Sequence, residues 1–190
     1  MKAVGGGPNP PLWRIEMDKK LAIVIISFSL LYSLSSFSEE YWMKTSDIGL
    51  SHNVLLMQSN EYGFCGYAIN NSGNEDLLFM KIQNGREVLS AQLYGGNKSD
   101  AGKFIVPSSD GYYFLIGATW SYGEGNSDIW VLKIDEIGNI IWQKSYGSTG
   151  DEGDIWFASG TTDGGALIAM PYKATSPWGT VVIKIDKDGN

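Results

Sequence analysis

The chain of 190 residues has one cysteine and one histidine. A lone thiol, Cys65, has no partner for an internal disulfide, so no covalent staple holds the fold. It sits in the apolar run Phe64-Cys65, far beyond the N-terminal apolar segment. It therefore reads as a small buried hydrophobe, neither a reactive thiol nor a lipid-attachment site. A lone imidazole, His52, excludes the H-E-x-x-H pair of zinc proteases. No Ser/His/Asp order and no Cys–His pair can be assembled around it. Basic residues are outnumbered, 14 against 21 acidic, for a net charge of −7. That deficit argues against a nucleic-acid partner, whose phosphates need a basic surface, and against an electrostatic hold on anionic lipid. Proline is modest, with six residues.

Glycine is abundant, with 24 residues, and aromatics make up 13% of the chain. This mixture suits many short strands joined by tight turns better than helices. One strongly apolar run stands at the N-terminus, Leu21 to Leu34. Lys19-Lys20 precede it, and the small-residue site Ser36-Phe37-Ser38 follows before Glu39-Glu40. A basic flank, an apolar stretch and a small-x-small site form the pattern of a secretory signal peptide over 17–38. Met17 is a better start for that signal than Met1, which leaves 1–16 as a doubtful extension. An uncleaved signal-anchor, the only expected membrane contact, is the alternative, but the apolar part is short for a full span. Removing 1–38 takes away four basic and two acidic residues and leaves a more acidic, exported remainder.

That remainder, 39–190, repeats itself. Asp128-Ile-Trp-Val-Leu-Lys-Ile-Asp135, followed by Gly138-Asn139, returns as Thr180-Val-Val-Ile-Lys-Ile-Asp186, followed by Gly189-Asn190. A looser copy is Asp76-Leu-Leu-Phe-Met-Lys-Ile82, followed by Gly85. A period of about fifty residues belongs to solenoids, propellers and arrays. Alternating and β-branched residues predict strands over 128–134, 140–146, 155–159 and 166–170, with turns at Asp135–Asn139 and Thr161–Gly165. The upstream copy predicts 76–82, 88–94, 103–107 and 112–117. Strands are also expected at 53–57, 62–66 and 181–186, and at Trp42-Met43-Lys44, which matches Trp142-Gln143-Lys144. Four antiparallel strands in sequence make a meander, the blade of a β-propeller. In this phase the chain divides into a partial blade (41–70), two blades (71–123 and 124–177) and an orphan first strand (178–190).

The pattern D-I-W-V-L-K-I-D-x-x-G-N-I-I-W-Q-K-S-Y-G, then T-x-D-G-G, resembles a repeat of exported bacterial and archaeal proteins thought to be β-propellers. The resemblance spans Tyr41 to Asn190 and is best over Asp128 to Gly147 and Thr162 to Gly165. Met170-Pro171 departs from the family's apolar-Ala-Gly ending. The resemblance implies an all-β repeat fold and export, and little about activity. Propellers carry four to eight blades. The chain thus reads as a fragment whose partners include the remaining blades of a longer propeller, or as a small ring closed by pairing of 181–186 with the strand at Trp42.

Candidate chemistry is sparse. Asp151, Glu152 and Asp154 cluster in one loop, and Asp186-Lys-Asp188-Gly189 opens like a calcium loop. The equivalent turn Gln83-Asn84-Gly85 lacks those ligands, so calcium is a weak expectation and no other cofactor is expected. Gly138-Asn-Ile-Ile-Trp142 loosely fits the Gly-x-x-x-Trp hairpin of quinone-dependent dehydrogenases, but Ser90 breaks it in the corresponding repeat. Trp120, Tyr122, Trp156 and Trp178 stand at strand or loop positions suited to protein or carbohydrate recognition. Trp130 and Trp142 recur in framework positions and are expected to pack between repeats. The expected function is a non-enzymatic exported scaffold that binds protein or glycan. The alternative is a piece of an exported propeller enzyme whose active site lies elsewhere.

Overall fold

The computed structural model describes residues 49–57, 61–83, 87–150, 152, 154–172 and 179–190. The extension at 1–16, the signal segment and the strand expected at Trp42-Met43-Lys44 lie outside the described residues, as do Asp151 and Trp178. The described chain is all-β, with eleven strands and no helix. These are β1 (Gly49–Leu56), β2 (Glu61–Ile69), β3 (Glu75–Gln83), β4 (Glu87–Tyr94), β5 (Asp100–Pro107) and β6 (Tyr113–Thr119). They continue as β7 (Asp128–Ile134), β8 (Ile140–Tyr146), β9 (Phe157–Gly160), β10 (Ala166–Tyr172) and β11 (Gly179–Ile185). Each strand expected between 53 and 186 is present.

The strands group differently from the expected units. β1-β2-β3-β4 form one antiparallel meander, β5-β6-β7-β8 a second, and β9-β10-β11 a third. The units expected over 71–123 and 124–177 are therefore each split between two sheets. Strands β1 and β2, expected in a partial unit, belong to the first sheet, and β11, expected as an orphan strand, to the third. The reason is burial. Every residue of β7 is buried, and so is every residue of β6. A strand buried along its whole length needs neighbours on both edges and cover on both faces. Asp128–Ile134 is thus a central strand and cannot be the first of a meander.

Side chains alternate between the two faces of a strand, and the sheets stack front to back. Cys65, Leu77 and Phe79 of the first sheet meet Ile105, Tyr113, Leu115, Trp130, Leu132 and Ile134 of the second. Phe114, Ile116, Ile129 and Val131, on the second sheet's other face, meet Ala166, Ile168, Met170 and Ile185 of the third. Each fully buried Leu, Ile or Phe contributes about 1.5–3 kcal/mol, so these two interfaces dominate the energetics. A further cluster, Phe64, Ala68, Leu78, Met80 and Ile82, lies on the back of the first sheet and is built within β1–β4.

The repeated turn locks each interface. The Asp135 carboxylate accepts the N–H groups of Ile137 and Asn139 at 3.0 and 2.8 Å. Asp186 does the same for Asp188 and Asn190, both at 2.9 Å. Gly138 and Gly189 close these turns at φ of 97° and 77°, where a Cβ would be strained. The preceding sheet then grips the turn. Tyr94 Oη donates to the Gly138 carbonyl at 2.5 Å, and Tyr146 Oη donates to that of Gly189 at 2.8 Å. Ser90 Oγ donates to Ile137 at 2.6 Å, and Lys144 Nζ reaches the carbonyls of Asp188 and Gly189 at 2.8 and 2.9 Å. Burial pushes the Tyr146 phenol up to about 12, with the Asp186 charge adding to it.

Candidate functional site

Antiparallel meanders place alternate connections at opposite ends. The loops 70–74, 95–99, 120–127 and 147–156 share one end, and the tight turns share the other. The loop end carries most of the unusual chemistry. Asp100 is fully buried and accepts from Gly96 N at 2.8 Å, Ser121 Oγ at 2.7 Å and Thr119 Oγ1. Thr119 Oγ1 in turn accepts the N–H groups of Ser121 and Tyr122 at 3.0 and 3.1 Å. One buried carboxylate thereby shapes the start of the β6–β7 loop.

A second carboxylate stands beside it. Asp76 accepts from Asn70 Nδ2 at 3.0 Å. Burial raises its pKa, the Asn70 bond opposes that, and the Asp100 charge adds to the rise. The next junction repeats the arrangement with Asp128 and Glu152. Asp128 is buried, and its pKa is raised first by burial and then by the charges of Glu152 and Glu124, against a bond from the Glu124 backbone. Glu152 accepts Ser148 N and Oγ at 3.2 and 2.6 Å. Glu152 N and Asn126 N donate to Ser127 and Gly150 at 2.8 and 3.1 Å, which ties the two loops together. Sequence reading singled out Glu152 within its loop cluster but did not pair it with Asp128, and it passed over the pair Asp76 and Asp100. The available signal was that Asp76 to Asp128 and Asp100 to Glu152 share one spacing.

Of the expected metal candidates, Asp154, Asp186 and Asp188 are among the described residues. Asp154 belongs to the loop end, where it accepts from Trp156 Nε1 at 3.2 Å and lies 3.9 Å from Lys103 Nζ. Asp186 and Asp188 lie at the turn end. Asp186 is held in its turn, and Asp188 pairs with Lys187 at 2.9 Å. The ammonium of Lys144 sits on the carbonyls of Asp188 and Gly189 in that turn. Among the described residues, no three His, Cys, Asp or Glu side chains are grouped to hold a metal ion.

The aromatic candidates divide. Tyr122 is as exposed as Trp120, while its ring packs at a tilt on Trp130 at 5.2 Å and its hydroxyl donates to the Gly95 carbonyl at 2.9 Å. Trp120 is fixed through its N–H to Ser99 at 3.1 Å, while its side chain stays partly exposed. Trp156 is 58% exposed. Trp130 is buried between sheets, and Trp142 packs on Phe114 at 5.7 Å, as expected for framework positions.

Trp156 has two counterparts. It precedes Phe157, which pairs with Ala169. Lys103 precedes Phe104, paired with Ile116, and His52 precedes Asn53, paired with Cys65, each at a bulge. His52 Nδ1 lies 2.9 Å from the Gly102 carbonyl, so it links the edge strands β1 and β5 of the first two sheets.

Cys65 is fully buried, and burial drives its thiol pKa upward, as its sequence context predicts. At the turn end, Leu56, Met57, Pro107, Tyr112 and Tyr113 line a cleft of about 220 Å³. Ligand pockets usually run from roughly 300 to 1,000 Å³. This cleft, lined by described residues, falls below that range. Compared with known proteins, the chain matches no family model and no curated sequence.

Proposed function

We propose that the chain is an exported, non-enzymatic repeat scaffold of the β-propeller kind that presents its loop end to a protein or a glycan. Two observations support the propeller reading. Each sheet is a meander, and the sheets stack in one direction through the same residues of each repeat. The observation that carries the binding reading is the exposure of Trp156 and Trp120 in the loops of that end. An indole face flanked by carboxylates such as Asp154 suits the apolar face and hydroxyls of a sugar, or an aromatic-rich peptide contact.

A glycan array together with a pull-down from the native extracellular milieu tests this. Trp156→Ala, at an exposed position, should leave the unfolding midpoint unchanged and weaken the selected ligand about tenfold. Retained binding in both Trp156→Ala and Trp120→Ala would remove the loop end as the binding surface. Export is tested by N-terminal sequencing of secreted protein. A mature start near Glu39 supports cleavage, and a start at Met1 or Met17 defeats it.

A further inference from the structure

β1, β5 and β9 are edge strands of their sheets, and they neighbour one another. Side chains tie them together. His52 Nδ1 lies 2.9 Å from the Gly102 carbonyl, and Ile105 N donates to Asn53 Oδ1 at 3.1 Å. Ahead of the regular pairing stand His52 in the first sheet, Lys103 in the second and Trp156 in the third. A bulge takes a side chain out of the strand's alternation and re-aims it. This position is open to water even where the next sheet is in place: His52 is exposed although the second sheet packs on the first. Exposure at this position is therefore a property of the bulge, and Trp156 shares it.

Where the second and third sheets meet, two of these residues face one carboxylate. Asp154 Oδ2 accepts from Trp156 Nε1 at 3.2 Å, and Asp154 Oδ1 lies 3.9 Å from Lys103 Nζ. The first contact is made at the rim of the indole, so it orients the ring and leaves the ring faces to other partners. The second separation is longer than a hydrogen bond. The carboxylate and the ammonium are thus neighbours that do not saturate each other. Their side chains remain 69% and 30% exposed.

We propose that Trp156, Asp154 and Lys103 form a subsite for a neutral pyranose of a glycan, stacked on the indole with two adjacent hydroxyls on the charged pair. This rests on the reading of the loop end as a binding surface. The chemistry of the three groups selects the ligand. An indole face takes the apolar face of a sugar ring. A carboxylate only accepts hydrogen bonds and an ammonium only donates them. Adjacent hydroxyls satisfy both, one donating to Asp154 Oδ1 and the other accepting from Lys103 Nζ, and bonds to charged groups are the stronger kind. The sugar is neutral because a uronate would meet Asp154 and Glu152 of one loop on a chain of net charge −7.

Calorimetric titration of the full chain with neutral oligosaccharides of gluco, manno and galacto configuration, and with oligouronates, tests this. One neutral series should bind, and oligouronates should bind at least about tenfold more weakly. Trp156→Ala and Asp154→Asn should each weaken that sugar at least about tenfold, and Lys103→Met about threefold or more. Leu89→Ala, on β4, should change nothing, and all four variants should keep the native unfolding midpoint. On the native chain, a deoxy analogue lacking one of the two hydroxyls should lose as much as Asp154→Asn or Lys103→Met. Tighter binding of oligouronates, or neutral binding that survives both Trp156→Ala and Asp154→Asn, overturns the subsite. If Trp120→Ala removes that surviving binding, the loop-end reading stands and only the subsite falls. If Trp120→Ala spares it as well, both fall. A chain that binds no sugar but captures a protein through Trp156 also sinks the subsite alone.

Discussion

Three lysines occupy one repeat position and differ in surroundings, which gives the fold an internal control. The side chains of Lys81 and Lys133 are 6% and 4% exposed, against 48% for Lys184. Lys133 binds Asp110 at 2.5 Å and the Lys187 carbonyl at 2.9 Å, and its ammonium stands 5.1 Å from the Tyr112 ring centroid. Asp110 itself remains 31% exposed at its side chain. The two halves of this pair should therefore not be equivalent. Asp110→Asn leaves a buried ammonium with a carbonyl and ring faces, a loss in the range of about 3–5 kcal/mol for a broken buried pair. The Tyr112 and Phe114 rings offset part of it, which puts the expectation near 3 kcal/mol. Lys133→Met keeps most of the stem volume and leaves a carboxylate that water can reach, so about 1–2 kcal/mol is expected. Urea unfolding reads the difference. With a slope of about 2 kcal/mol per molar, Asp110→Asn should lower the midpoint by roughly 1.5 M and Lys133→Met by about half as much, at unchanged slope. Lys184→Met should leave the midpoint within error, because its pair lies in water. Equal shifts for Asp110→Asn and Lys133→Met, or a shift for Lys184→Met as large as for Lys133→Met, would refute the argument from burial.

The tyrosine locks make a second internal comparison. Tyr94→Phe removes a buried donor to Gly138 and should cost about 1–2 kcal/mol in the same unfolding assay, while Tyr146→Phe, more open to solvent, should cost less; the reverse order would contradict the burial ranking. The loop-end carboxylates predict an unusual pH response. The folded pKa of Asp128 is raised above 3.8, so folding favours its protonated form. Its contribution to stability must fall as pH rises from 3.8 through the raised value. Asp128→Asn should thus stabilise the protein at neutral pH, with the gain vanishing below pH 3.8. Asp110 behaves oppositely: burial acts to raise its pKa, but Lys133, Ser108 and the Tyr112 backbone outweigh it, and its contribution is lost as pH falls below 3.8. Melting curves against pH for the native chain and Asp128→Asn would check the sign, and a destabilised variant at neutral pH would show that hydrogen bonding to Asp128 outweighs its burial.

The strands were legible because their signals are local. Asp128-Ile-Trp-Val-Leu-Lys-Ile134 and Ile140–Tyr146 declare themselves by β-branched and alternating residues, and Asp135–Asn139 by its aspartate and glycine. The site was less legible because its chemistry is made by pairing at a distance. Nothing local to Asp100 says that it is buried under Thr119 and Ser121. Nothing local to Trp156 says that it stands at the bulge position of His52 and Lys103.

The grouping of strands is the instructive case, because a repeat read from its best-matching segment has no marked beginning. Asp128 follows the glycine-rich stretch 120–127, which looks like a boundary, yet that loop joins two strands of one sheet. The decisive information lies in composition across strands. In a meander of four, two consecutive strands are central and two are edges. Tyr113–Thr119 and Asp128–Ile134 are apolar almost throughout, whereas Glu87–Tyr94 and Ile140–Tyr146 alternate with polar residues and are largely exposed on one face. Two adjacent, uniformly apolar strands must be the central pair, which puts β5 and β8 at the edges and fixes the phase. The same criterion identifies β11 as a strand out of place. Thr180-Val-Val-Ile-Lys-Ile185 has the apolar composition of a central strand, but alternates between exposed and half-buried for most of its length. Its sequence is that of β3 and β7, and its surroundings are those of an edge.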